Sequence, residues 1–256
     1  MKIPFQINSC GRIILGILHA AQIQNEIPLV VIMCYGLNGN RVEQHRMSVK
    51  LGEICELNSI NLIRFDYVNT GISEGDFFFS NTLERIKNVI DVYTFIKGCF
   101  NSKIHVYLVG FSDGAKIAIQ AKEYIIDFCG FILWNPMMRI SGVAESASNR
   151  TNKLLFHKRF KKPYKALFGV CLNMGLVREI ENDETIAALD DKINQLLIFG
   201  EQDRYTKNIR EYIESKRLAN TCIKVISNAG HLFNSVDSER QVNEYTVAWI
   251  KDRYYD

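Results

Sequence analysis

One stretch constrains this chain more than any other: His105-Val-Tyr-Leu-Val-Gly110-Phe111-Ser112-Asp113-Gly114-Ala115. A continuous apolar run ends in Gly-x-Ser-x-Gly and passes directly into the helical pattern Lys116 to Lys122. That is a strand, a sharp turn and a helix, with a serine at the apex. Such a turn holds the serine in a strained backbone conformation, lifts its hydroxyl clear of the sheet and leaves a helix N-terminus beneath it. Glycines at 110 and 114 leave room for the crossing strand and helix. The five residues alone are a weak signal, because Gly and Ser are common in ordinary loops. Their weight comes from the flanking elements, and from whether the chain also supplies a base and an acid.

The surrounding pattern is strand alternating with helix. Residues 3–8 and 12–19 read as a hairpin around Asn8-Ser9-Cys10-Gly11. Leu29 to Cys34 is continuously apolar, as a strand buried on both faces requires, and ends in Tyr35-Gly-Leu-Asn-Gly-Asn40. A helix carrying Met47, Leu51, Ile54 and Cys55 follows, then a short strand, Asn61 to Asp66, and a loop from Val68 to Gly75. Thr82 to Lys97 places Leu83, Ile86, Val89, Ile90, Tyr93 and Ile96 on one stripe, with an Asn81/Glu84 capping pair and Gly98 at the expected stop. Strands at Gly130–Trp134, Leu196–Phe199 and Cys222–Ile226 and helices near 209–213 and over 237–253 complete the series. Only 137–192 breaks it, reading as two helices without a buried strand. The expectation is an α/β fold with a mostly parallel sheet covered on both faces. It is one domain over 1–256, with core 1–136 and 193–256 and a helical lid inserted at 137–192.

Composition narrows the function classes. A net charge of +3, with no basic arm, is too small to imply nucleic acid. The seven cysteines (10, 34, 55, 99, 129, 171 and 222) show no metal spacing and fit a reducing cytoplasm. The early apolar run Ile13 to Leu18 is too short for a signal peptide, and no run approaches the ~20 residues needed to span a bilayer. The expectation is a soluble cytoplasmic protein without stable membrane insertion, metal or redox cofactor.

A serine hydroxyl is a poor nucleophile until a base takes its proton, and the base needs an orienting acid. Of the histidines at 19, 45, 105, 157 and 231, only His231 lies in a loop just past a strand's C-terminal end. Ligands approach an open α/β sheet at those ends. Asp203, beyond the strand 196–199, has the same placement, with Glu201 as its nearest rival. The order Ser112, Asp203, His231 is that of the α/β-hydrolase arrangement.

On these residues the chain resembles the α/β-hydrolase superfamily of serine hydrolases. The nearest branch holds cinnamoyl/feruloyl esterases and serine aminopeptidase-like hydrolases. The matching segments are Tyr35-Gly-Leu-Asn-Gly-Asn40, Phe65-Asp66 with Gly71-Ile-Ser73-Glu-Gly75, the serine turn, Gly200-Glu-Gln-Asp203 and Asn228-Ala-Gly-His231. The resemblance implies an acyl-serine mechanism with Ser112 as nucleophile, His231 as base and then acid, and Asp203 orienting the imidazole. It also implies an oxyanion hole made by the backbone N–H groups of Leu37 and Asp113. Tyr35 and Phe111 are the candidate substrate contacts. Two positions depart from the family: Tyr35 stands where a histidine is usual, and Val68-Asn69 where Arg-Gly is usual. Tyr35 is open to two readings, packing or a role in orienting the loop or touching substrate. Asp113 is unusual for its charge and reads as facing solvent or capping its own helix.

Between Glu145 and Glu179 there is no acidic residue. Arg150, Lys153, Lys158, Arg159, Lys161, Lys162, Lys165 and Arg178 are interleaved there with Leu154, Leu155, Phe156, Phe160, Tyr164, Leu167 and Phe168. This is either a solvated basic face or a rim that attracts an anionic or carrier-bound acyl substrate. The leading expectation is hydrolysis of a small-molecule carboxylic ester or thioester. Acyl transfer or thioesterase action on a carrier- or CoA-bound acyl group is the alternative within enzymes. A catalytically inactive receptor of the same fold is the alternative from another class.

Overall fold

Side chains of Leu29–Cys34 (β3) alternate between two apolar layers, and that alternation explains the architecture. Val30, Ile32 and Cys34 enter one core cluster, and Leu29, Val31 and Met33 enter the other. A strand apolar on both faces is stable only inside a sheet covered on both sides. The computed structural model describes residues 1–100, 102–140, 154–167 and 169–255. Its eight-stranded sheet has the order β1-β2-β4-β3-β5-β6-β10-β11. The strands are β1 (Lys2–Ser9), β2 (Arg12–His19), β3, β4 (Ile60–Phe65), β5 (His105–Phe111), β6 (Phe128–Trp134), β10 (Gln195–Gly200) and β11 (Thr221–Ile226). The expected hairpin is β1–β2, with Ile7 opposite Ile14. It joins β4 antiparallel, and all the other pairs are parallel.

Helices α2 (Thr82–Phe100), α3 (Gly114–Ala121) and α5 (Lys207–Lys216) cover one face through residues such as Val89, Val92, Ile117 and Ile213. Helices α1 (Met47–Leu57) and α6 (Val236–Tyr255) cover the other through Leu51, Cys55, Val242 and Ile250. The N-terminal cap of α2 is as read, with Asn81 Oδ1 accepting from the Glu84 N–H at 2.8 Å. Two details differ. Leu83 is 75% exposed, because it lies in the first turn beyond the edge of the sheet-facing stripe, and the helix runs through Gly98 to Phe100. A Cβ at Gly98 would meet nothing within 4 Å among the described residues, and none of them enforces a stop there.

The segment 137–192 is the larger correction. Where two helices are expected, its described residues form a three-stranded antiparallel sheet, β7 (Leu155–His157), β8 (Lys162–Leu167) and β9 (Val170–Asn173). One α-helix, α4 (Met174–Glu181), follows. Register pairs Leu155 with Tyr164 and Tyr164 with Asn173, so apolar and basic residues alternate across a two-faced ribbon. Leu172, Leu176 and Val177 form a small core that packs Leu37 and Phe77 of the main domain. Arg150, Lys153 and Phe168 lie outside the described residues. No helix among the described residues is long and apolar enough to cross a membrane.

Candidate active site

Sterics build the site before any chemistry does. Ser112, directly after β5, has φ 55°, in the left-handed region that residues other than glycine rarely occupy. The turn closes so tightly that a Cβ at Gly114 would sit 2.1 Å from the Cys34 carbonyl oxygen. One at Gly110 would sit 2.6 Å from Ala115 Cα. The Ser112 N–H donates to the Trp134 carbonyl at 2.9 Å, anchoring the turn to β6. With the backbone fixed this way, the hydroxyl stands at the C-terminal edge of the sheet, at the mouth of α3.

The three residues expected from strand ends meet there. His231 Nε2 lies 2.9 Å from Ser112 Oγ, and its Nδ1 lies 2.8 Å from Asp203 Oδ2. Asp203 also accepts from Thr206 Oγ1 at 2.7 Å and from the Tyr205 N–H at 2.9 Å. Burial pushes its carboxyl upward, but the hydrogen bond and charge of His231, with the Thr206 and Tyr205 donors, outweigh that and hold it below its ordinary value. Glu201, the rival acid, instead accepts from the Asn228 N–H at 3.0 Å and takes no part. The imidazole is flanked by Tyr205 and Phe111, with ring centroids 5.4 and 5.6 Å away. Phe111 is buried, so its contact is with the histidine.

Sequence reasoning missed the parts that hold this histidine. Asn135, at φ 39° after β6, donates through Nδ2 to the carbonyls of Gly230 (3.3 Å) and His231 (2.9 Å). Its Oδ1 accepts from the Gly200 N–H at 2.8 Å. His45 Nε2 pairs with the Leu232 carbonyl at 2.8 Å. An Asn-Pro pair closing a strand was the visible signal for Asn135; nothing local marked His45.

Beside Ser112, the backbone N–H groups of Leu37 and Asp113 find no acceptor among the described residues. They come from the loop after β3 and from the turn opening α3. Unpaired N–H groups of this kind favour a negative oxygen. Glu43 backs the same loop, accepting the Gly36 N–H at 2.9 Å, and burial pushes its carboxyl up to about 7.

The two positions that differ from the resembled pattern both secure the loop after β4. Tyr35 is fully buried; its hydroxyl bonds Thr70 Oγ1 and accepts the Tyr67 N–H at 2.7 Å. Asn69, at φ 70°, accepts the Asp76 N–H and donates to Glu84 Oε2 at 2.7 Å. Tyr35 therefore braces the 66–75 loop from beneath, and its hydroxyl is committed to that loop. Asp113 does not face solvent: its carboxylate is buried, 2.6 Å from Lys116 Nζ and 3.5 Å from Arg85 Nη1. Among the described residues no group of three or more His, Cys, Asp or Glu could hold a metal ion.

No protein-family model and no curated protein matches the chain. Solved structures do. Est1E from Butyrivibrio proteoclasticus, solved with ferulic acid bound, superposes with TM-score 0.72 at 19% identity, over 96% of this chain and 99% of its own. An esterase of Pyrococcus furiosus gives 0.69 at 18% identity, over 98% and 91%. A hydrolase-like protein of Agrobacterium vitis S4 gives 0.70 at 16%, over 98% of both. The chain has the α/β-hydrolase fold. Within that α/β-hydrolase framework the described part of the segment between β6 and β10 packs against Leu37 through Leu172, Leu176 and Val177.

Proposed function

We propose that the protein is a serine hydrolase that cleaves a small carboxylic ester or thioester through an acyl-serine intermediate. The continuous chain from Asp203 through His231 to Ser112, at 2.8 and 2.9 Å, is the observation that carries this reading. His231 Nε2 takes the Ser112 proton as Oγ attacks the acyl carbon, and Asp203 steadies the imidazolium that results. The oxygen that becomes negative lies between the Leu37 and Asp113 N–H groups, each such donor being worth ~100- to 1000-fold in rate. His231 then gives its proton to the leaving oxygen or sulfur. Water, deprotonated by the same nitrogen, releases the acid and regenerates Ser112. The segment 137–192 serves as the lid over this site. All seven cysteines are free thiols, which supports a reducing compartment. Neighbours of this fold include Est1E with ferulic acid and a protein complexed with its substrate analogue, which supports a small-molecule substrate.

The test is hydrolysis of p-nitrophenyl esters of graded chain length by wild type and Ser112→Ala. Turnover by wild type alone supports the proposal. Absence of both turnover and fluorophosphonate labelling of Ser112 refutes it.

One observation favours a carrier- or CoA-bound thioester as the substrate. Lys158, Arg159, Lys161 and Lys162 at the β7–β8 turn are exposed and form no ion pair among the described residues. If that rim attracts an anionic carrier, reversing these charges raises KM for an acyl-CoA and leaves KM for a neutral ester unchanged.

A further inference from the structure

The two donors proposed for the negative oxygen come from segments far apart in sequence, and one side chain touches both. Arg85, on α2, donates through Nη2 to the Leu37 carbonyl at 3.1 Å and through Nη1 reaches Asp113 Oδ2 at 3.5 Å. It is 1% exposed, and its Nε has no partner among the described residues. The guanidinium lies over the rings of Tyr67 and Phe77, at 5.4 and 5.7 Å, and Phe77 and Leu37 both pack against the cluster of Leu172, Leu176 and Val177. Burying a cation this deeply, with one N–H unsatisfied, is unfavourable unless its remaining contacts are strong. A core filled for packing alone would use an apolar side chain here.

We propose that Arg85 is a positioning residue for the oxyanion hole, a role that rests on the serine-hydrolase reading above. By clasping the Leu37 carbonyl and the Asp113 carboxylate with one rigid fork, it fixes the separation and aim of the two N–H donors. It also solves an electrostatic problem. The carboxylate of Asp113 belongs to the residue whose N–H must receive a negative oxygen. Lys116, at 2.6 Å on its other side, and Arg85 together leave the buried trio with net positive charge. Asp183 adds a further negative field at Lys116.

Arg85→Lys and Arg85→Met test this, with Asp113→Asn as the variant that removes one arm of the clasp and leaves the Leu37 arm. Three quantities are read for each: kcat and KM for a short p-nitrophenyl ester, and Ki for a trifluoromethyl ketone, whose adduct places an anionic oxygen in the hole. The expected result is a fall in kcat of about 10- to 100-fold for the Arg85 variants, below the loss of a whole donor. Ki rises by the same factor and KM stays within about threefold, with Arg85→Lys the milder because charge remains but the fork does not. Asp113→Asn lowers kcat and raises Ki by a common factor, as the Arg85 variants do. A fall in kcat with unchanged Ki, or no change in either for Arg85→Lys and Asp113→Asn, overturns the role while the hydrolase reading stands. A wild type that neither turns over esters or thioesters nor reacts with fluorophosphonate overturns both.

Discussion

Glu43 offers a quantitative test of how the loop behind the proposed oxyanion hole is held. Its carboxyl is almost wholly buried, accepts the Gly36 N–H at 2.9 Å and is pushed by burial from 4.5 to about 7. A carboxyl whose pKa is raised in the folded state favours folding only while it is protonated. Between about pH 4.5 and 7 the unfolded chain ionises and the folded chain does not, so stability declines with rising pH across that window. At about 1.4 kcal/mol per unit, the shift corresponds to a loss on the order of 3 kcal/mol that is complete above pH 7. Glu43→Gln keeps an acceptor for Gly36 and removes the ionisation. Urea unfolding of both proteins from pH 4.5 to 8.5 should show equal stability at the acid end. The mutant should be the more stable by about 2–3 kcal/mol at pH 8. A difference that stays constant across the range, or that opens with falling pH, refutes the argument. The first would mean that folding leaves the Glu43 pKa unshifted, the second that the ionised form is stabilised in the folded protein.

Three further outcomes follow from the geometry. Asp203→Asn should lower kcat by roughly 1000- to 10,000-fold, because the imidazole loses its orienting acceptor. It should also remove the stability that Asp203, with its depressed pKa, contributes above the carboxylate range and loses as pH falls through that value; acid unfolding measures the second effect. Asn135→Ala should lower kcat by up to about 100-fold with KM little changed, since the His231 loop loses its tie to β6 and β10; steady-state kinetics on an aryl ester decide it. Tyr35→Phe leaves the buried Tyr67 N–H without an acceptor and should cost about 1–3 kcal/mol in urea unfolding.

Much of this site was legible in the sequence because it is written in local patterns. The serine turn needs glycines at fixed offsets, and Asp203 and His231 follow strands whose apolar runs are unmistakable. What stayed hidden depends on partners distant in the chain. Asp113 looked like a surface residue because Arg85, 28 residues earlier, gives no local sign of facing it. Tyr35 and Asn69 looked like separate departures from the family pattern, but each secures the same loop. The segment 137–192 misled for another reason. Its strands are three to six residues long, too short for a period to declare itself, and the interleaved lysines and aromatics imitate the two faces of an amphipathic helix. Leu83 fits the helical stripe in spacing but falls past the end of what the stripe covers.

The strand order also has a consequence for how this protein should age on warming. Ser112 follows a strand with neighbours on both sides, whereas His231 follows β11, which among the described residues is bonded to β10 alone at the sheet margin. Outer strands open at lower free energy than interior ones. Heat should therefore separate the histidine from the serine by fraying the margin while the centre keeps its structure. Reversible loss of turnover then sets in some degrees below the loss of ellipticity. The ties from Asn135 and His45 are what set the width of that gap.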